Sequence, residues 1–530
     1  MRSSTRRTNW VLGFIESNKP GGYIVPRACA HLLLMAVSLV APLSGCSRPV
    51  RPGALVVTQS PVSSISSSPA QDVLELRYPL GSRIVLAEAP LDPTHFRILS
   101  AGLIAAGGLN VSYDGRRVIF CGKKLRNSEW QIYEVDCSSP AAPVAITSMA
   151  AGTMQPALLA DDSVVFASPV PKLGAVDSNR IQIPQLYVQR SGATPRQLTF
   201  VPSGASDPSV LSDGRILFVS HLPSASSEMN TGLYTINNDG TELTAFAGHQ
   251  EAWLKIEQPR QLADGRVAFL LQNAGASSAA STSMVFVRSA RPFFGWEKLF
   301  PNTNWRVISV QPASNGDLLA CVEGFQEAPS APCSSAVFRV PRDLSGKARF
   351  AFYLEKQPAD GEPTVTILNT PNWKSLEAAE AMPHARPMGR LSSTDPGQRT
   401  GQILCLNVNH TTVDQETGGV AARATAIRVA ARDASGTIRT LGEVPVQSDG
   451  SFMAEVPADL PLGFEALDAK GEVLRRVRPI VWVRPGEKRS CIGCHEPHNH
   501  APHNYRPLAV RVPVPYLGVE SKKAAEMSSK

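Results

Sequence analysis

The feature that most constrains this chain is a repeat. Aligning the last strong residue of each turn-plus-strand unit gives Phe120, Phe166, Phe218, Phe269 and Ala320, at intervals of 46, 52, 51 and 51 residues. A period near fifty that carries short strands is that of β-propeller blades. Three units show their turn plainly, as Asp114-Gly115-Arg116, Asp213-Gly214-Arg215 and Asp264-Gly265-Arg266. Asp-Gly supplies a tight hairpin, and each turn precedes an apolar strand such as Ile216-Leu217-Phe218. A second strand follows in every unit: Gln131–Val135, Gln185–Gln189, Gly232–Ile236, Met284–Val287 and Ala336–Val340. Five blades are explicit, and segments near Val73–Leu76, Arg83–Ala87 and Pro363–Leu368 are expected to complete a sixth from both ends. The aspartates of the repeats sit at turn positions and read as structural. No acid–base pair or nucleophile constellation stands among them.

Composition agrees with an all-β protein. Pro (43) and Gly (39) are plentiful in the 530 residues and aromatics make up only 6%, which favours many turns over a helical bundle. The formal charge of +7 suggests nucleic acid until it is located. Arg2, Arg6, Arg7, Lys19 and Arg27 against Glu16 put most of it before residue 46, so no nucleic-acid partner is expected. The basic stretch leads into an apolar run, His31–Leu43, which is too short to span a bilayer and suits a signal peptide. The run ends in Leu43-Ser44-Gly45-Cys46, which resembles a bacterial lipobox with Cys46 as the lipid acceptor. The expectation is an exported protein held by lipid at the periplasmic face of the envelope, at the outer membrane. Thr58–Ala70 is Ser/Pro-rich and reads as part of a flexible tether.

The expected domains are a signal peptide over 1–45, a tether over 46–71 and a propeller over 72–371. A linker (372–401), a small β-sandwich (402–484) and a C-terminal segment (485–530) follow. Pro383, Pro387 and Pro396 mark the linker. Short alternating strands at Gln402–Val408, Thr425–Ala431, Thr437–Thr440, Ser451–Val456 and Gly463–Leu467 define the sandwich. Cys321 and Cys333 flank one hairpin and suit a disulfide in an oxidising compartment, whereas Cys121 and Cys137 lie at opposite ends of their hairpin. Buried free thiols are preferred for these, and Cys405 has no evident partner.

The chemistry lies in Cys491-Ile492-Gly493-Cys494-His495. Cys-x-x-Cys-His is the attachment motif of c-type haem, with two thiols on one turn for the vinyl groups and the next residue presenting imidazole to iron. Random placement of the cysteines and histidines gives only about 0.003 such motifs per chain. Cys491 and Cys494 are therefore the thioether residues of one covalent haem c, and His495 the proximal ligand. Zinc is the alternative, held by Cys491, Cys494, His495 and one of His498, His500 or His503. A Cys491–Cys494 redox disulfide is a third reading. For a distal iron ligand, His500 and His503 lead, with Tyr505 and His410 also available. Met527 is too near the terminus. Trp482 and Tyr505 either pack on the macrocycle or serve as ordinary core and surface aromatics.

Two resemblances add to this. Leu233–Thr241 resembles a blade of the Tol-system periplasmic propeller, and the sandwich resembles prealbumin-like modules. The order of parts, with Pro485-Gly486-Glu487, Arg489-Ser490-Cys491, Gly493-Cys494-His495-Glu496 and Ser448-Asp449-Gly450-Ser451-Phe452, resembles the hydrazine synthase alpha-subunit family in its N-terminal and middle domains. That resemblance implies a haem linked to substrate chemistry at an unusually ligated iron, with a tyrosine ligand soon after the motif. The first tyrosine after the motif here is Tyr505. The family has a further haem domain, whereas this sequence contains no second Cys-x-x-Cys-His, so hydrazine synthesis itself is not expected. The resulting expectation is a monohaem c-type protein. Its work would be electron transfer with a redox partner protein, or redox chemistry on a small molecule as a haem-dependent oxidoreductase. The competing expectation is a non-enzymatic envelope scaffold with a partner-binding propeller and a C-terminal zinc site.

Overall fold

Every residue of the Phe column lies in the second strand of a four-stranded antiparallel sheet and is fully buried. Its cross-strand partner is another ring in three successive blades. Phe120, Phe166 and Phe218 stack on Tyr133, Tyr187 and Tyr234, with centroids 6.1, 6.1 and 5.9 Å apart. The repeat thus records one packing solution reused. The computed structural model describes residues 50–62, 73–171 (except 93 and 140), 182–221, 231–248, 255–272, 282–288, 296–299, 305–324, 335–340, 366–411, 423–432, 437–494 and 505–518.

The inner strands of six such sheets are Trp373–Glu380, Ala105–Val111, Met154–Leu158, Ser206–Val210, Lys255–Gln261 and Trp305–Pro312. Each touches the next, and the first also touches the last, so the described sheets close a six-bladed ring. The sixth blade closes from both chain ends with Arg83–Ala87 as one strand, as expected, but its other strands differ from the sequence expectation. The closing blade is ordered Trp373–Glu380, Leu55–Pro61, Arg83–Ala87, Arg97–Ile98. Leu55–Pro61 therefore belongs to the propeller rather than to a tether over 46–71, and Trp373–Glu380 belongs there rather than to a linker. Leu55 and Val57 face one neighbouring core and Val56 the other, which is why this short run is apolar on both sides. Val73–Arg77 is a helical turn, not a strand, with Leu74 and the adjacent Tyr78 buried against Ala105, Cys121 and Trp130. Thr366–Asn369 is the outer strand of the blade that carries Ala320, so the described part of the expected Pro363–Leu368 strand does not close the ring.

Glu377, on the closing strand, clasps the ring. Its carboxylate accepts hydrogen bonds from Thr58 Oγ1 (3.1 Å), Tyr78 OH (2.6 Å) and the amides of Gly108 (2.8 Å) and Leu109 (3.2 Å). Arg77 lies 3.5 Å away. The inner strands bulge where this clasp forms. Gly108, Gln155, Asp207 and Gln258 all have positive φ at register breaks in successive blades. The bulges free backbone groups for cross-blade ties. Gln155 Nε2 donates to Asp207 Oδ1 (2.7 Å), while the Asp207 amide donates to Gln155 Oε1 (2.9 Å).

The second domain is a seven-stranded sandwich. One sheet is ordered Phe452–Pro457, Thr400–Cys405, Lys488–Cys491, and the other Ile438–Pro445, Ala426–Arg432, Leu462–Leu467, Val473–Val481. Their facing residues, including Ile403, Val456, Ile427, Val429 and Leu462, form one core. Lys488–Cys491 lies within this domain, so the C-terminal segment begins inside the sandwich and not after it. The boundary at 484/485 is corrected accordingly.

Between the domains, residues 381–399 form a strap laid across the blade turns. The His384 amide donates to Tyr113 O (3.0 Å), and the Met388 amide to Ser212 O (2.9 Å). Arg386 binds Asp162 at 3.0 Å and lies over the Tyr113 ring. The turn glycines make room for the strap. A Cβ on Gly115 would stand 2.4 Å from the Met382 carbonyl carbon, and one on Gly214 would stand 2.3 Å from Met388 O. At Gly115 and Gly214 the Asp-Gly turn therefore serves docking as well as turning, whereas a Cβ on Gly265 would meet nothing within 4 Å.

Candidate functional site

Strands Thr400–Cys405 and Lys488–Cys491 run parallel in a register that sets Cys405 level with Cys491. The pairing continues past both strand ends, through Leu406 N to Cys491 O (2.9 Å) and Asn407 N to Ile492 O (3.1 Å). From Cys491 the chain bends across its neighbour. Gly493 passes so close that a Cβ there would lie 2.2 Å from His410 O, so glycine is required. The bend carries Cys494 onto the sandwich core, where its thiol hydrogen-bonds that of Cys405. This contact, and then burial, push the Cys405 thiol well above the usual 9.0. Cys405 is buried, whereas Cys491 and Cys494 are half-buried. Cys405 is thus not a thiol without a neighbour, as the sequence suggested. The parallel pairing that brings it in joins strands far apart in the chain and leaves no local signature.

Tyr505 closes the other side. Its hydroxyl donates to Leu406 O at 2.9 Å, and burial followed by the nearby Asp449 and Cys405 raises its pKa. His410 stands beside the bend by its backbone contact with Gly493. His495, His498, His500, His503, Met527 and the lipobox Cys46 lie outside the described residues, as does Cys333, the suggested partner of the buried Cys321.

The bend is held against the propeller by the residues just before it. Trp482 is only 1% exposed and enters a propeller core, its indole N–H donating to Gly240 O (3.0 Å) with Phe200 edge-on at 6.1 Å. It is therefore a docking residue, and the alternative of packing on a macrocycle does not hold for it. Glu487 accepts from the Arg484 amide (2.7 Å) and the Glu242 amide (3.0 Å), and burial raises its carboxyl above 4.5. The Arg489 guanidinium donates to Leu243 O. All of these grip the turn around Asn237–Leu243 of the fourth blade. At the propeller mouth a cavity of about 740 Å³ opens beneath the strap. Its charged groups are engaged: Glu380 with Arg339 (2.8 Å), and Arg260 with Gln311 (3.3 Å).

A six-bladed propeller followed by a docked sandwich defines the architectural class. Residues 399–496, the sandwich with its cysteine bend, match the family model described as the hydrazine synthase alpha subunit middle domain. Among solved structures, hydrazine synthase from Kuenenia stuttgartiensis superposes with a TM-score of 0.70 at 17% identity, covering 87% of this chain and 72% of that one. A Dyadobacter fermentans protein of unknown function (TM-score 0.35, 13% identity, 46% and 80% covered) shares less. So does oligogalacturonate lyase from Vibrio parahaemolyticus (0.31, 11%, 56% and 72%). No curated protein sequence matches. Residues 399–496 thus resemble the hydrazine synthase alpha-subunit middle domain, and most of the chain shares the fold of hydrazine synthase.

Proposed function

We propose that this chain is an exported, lipid-anchored c-type haem protein. In this reading Cys491 and Cys494 hold one haem c by thioethers, and His495 is the proximal iron ligand. Bound there, the haem supplies an iron centre that carries electrons or reacts with a small molecule. His500 and His503 are the proposed sources of a second ligand, with Tyr505 as a further candidate. Cys46 carries the lipid and holds the protein at the periplasmic face of the outer membrane.

The observation that carries the reading is the state of the two motif thiols. Both are half-buried and three positions apart on one bend, inside the segment that matches the family model. That donor set suits covalent attachment. The surrounding residues hold the bend still: Gly493 locks it against His410, and Glu487 and Trp482 fix the preceding strand to the propeller.

Intact-mass analysis of protein exported in a haem-maturing host tests attachment. A mass increase equal to one haem, absent from Cys491→Ala/Cys494→Ala, is the expected result. An unmodified mature chain refutes it, and zinc analysis then decides for the scaffold reading. Carbon monoxide separates the two haem roles: a rapid spectral shift in the ferrous protein assigns small-molecule chemistry, and no shift assigns electron transfer.

A further inference from the structure

Covalent haem needs two thiols, yet three converge here. We infer that in the haem-free chain Cys405 pairs with Cys494 as a disulfide, making Cys405 a modification site that competes with haem for one attachment residue. This deepens the haem reading and rests on it for its consequence, though not for the bond itself.

Three observations carry the inference. The parallel register places Cys405 level with Cys491, so the Cys-x-x-Cys bend starts from the strand position beside Cys405. The bend then returns Cys494 over that strand end, fixed by Gly493 against His410, so that its thiol is the one in hydrogen-bonding contact with Cys405. Cys494 also packs against the same apolar core that contains Cys405, which holds the two sulfurs together. A Cys491–Cys494 bond would close only the short motif loop. A Cys405–Cys494 bond closes almost the whole sandwich and constrains the unfolded chain far more.

The step is an exchange with an exported dithiol oxidant. The half-exposed Cys494 attacks the oxidant's disulfide to form a mixed disulfide. Cys405 then displaces the oxidant's sulfur. One S–S bond forms in the protein, one breaks in the oxidant, and the two protons and two electrons leave with the oxidant as its dithiol. Haem attachment at Cys494 then requires a dithiol reductant to run the exchange in reverse.

The test uses the full chain exported by a host without haem-attachment machinery, alkylated on harvest and digested without reduction. After trypsin, a cross-linked peptide pair joining Thr400–Arg423 to Ser490–Arg511, with fragmentation assigning the bond to Cys405 and Cys494, is expected. Quantitative alkylation of Cys405 after denaturation, with any disulfide confined to Cys491 and Cys494, overturns the inference. In a haem-maturing host of limited reducing power, Cys405→Ala should raise the haem-loaded fraction at least twofold over the parent. An unchanged fraction overturns the competition. A parent that never takes haem but shows the cross-link sinks the haem reading alone, so the two failures are distinguishable.

Discussion

Replacing Trp482 by alanine should loosen the cysteine bend from the propeller without touching a thiol. The side chain is 1% exposed, sits in a propeller core and donates its indole N–H to Gly240 O. A buried Trp→Ala change costs about 3–5 kcal/mol, and the stranded Gly240 carbonyl lies within that range. Trp482→Phe keeps most of the packing and loses the hydrogen bond, for about 1–2 kcal/mol. Two domains need not unfold as one, so hydrogen exchange is a better assay than a global melt. The Glu242 amide donates to Glu487 across the junction and reports on docking directly. The Arg484 amide donates to the same carboxylate from the sandwich side and reports on how firmly the junction holds it. Their exchange should accelerate roughly 10²–10³-fold in Trp482→Ala and about tenfold in Trp482→Phe. The amides of Phe218 and Tyr234, within the blade, should change far less. Exchange at Arg484 and Glu242 within threefold of the parent would refute the docking argument.

Other outcomes follow from the same contacts. Glu377→Ala removes the acceptor of four hydrogen bonds at the ring closure and should cost about 3–5 kcal/mol in urea unfolding; a loss under about 1 kcal/mol contradicts the clasp. Gly493→Ala drives a Cβ into His410 O and should lower haem incorporation severalfold while leaving the far-ultraviolet spectrum intact; equal incorporation contradicts it. Burial works against the charge of Asp239, but hydrogen bonds from Thr241, Ser393 and Ser392 outweigh it and hold its carboxyl below 3.8. A depressed carboxyl contributes stability above its unfolded value and loses it as pH falls through the folded one. Acidification below 3.8 should therefore release the strap, read as faster exchange of the Ser393 amide, and Asp239→Asn should lack that acid step.

The fold was legible wherever one packing solution repeats. The Phe column marks the blade cores, and the Asp-Gly turns mark their hairpins, so fold class and blade order follow from spacing. Of the closing blade only Arg83–Ala87 was legible, for a physical reason. Trp373–Glu380 faces the crowded ring centre and carries buried Ser375 and Glu377 in place of the β-branched residues of an ordinary strand. Leu55–Val57 is apolar but merges with a Ser/Pro-rich run that reads as tether. At the site, the local motif shows itself at once, because Cys491, Cys494 and His495 are contiguous. Cys405 and Trp482 do not, since each acquires its role from a segment far away in the chain. The inner-strand bulges left a trace that spacing alone can find: Gln155-Pro156, Asp207-Pro208 and Gln258-Pro259 recur at the blade period.

The central claim is covalent haem at the bend. A pyridine haemochrome spectrum and a haem-stained denaturing gel test it most directly, on protein exported through its own signal in a haem-maturing host, with Cys491→Ala/Cys494→Ala alongside. The account predicts a c-type α band and a stained band at the size of the mature chain in the parent, both absent from the double variant. A colourless, unstained parent that is exported and folded would contradict it.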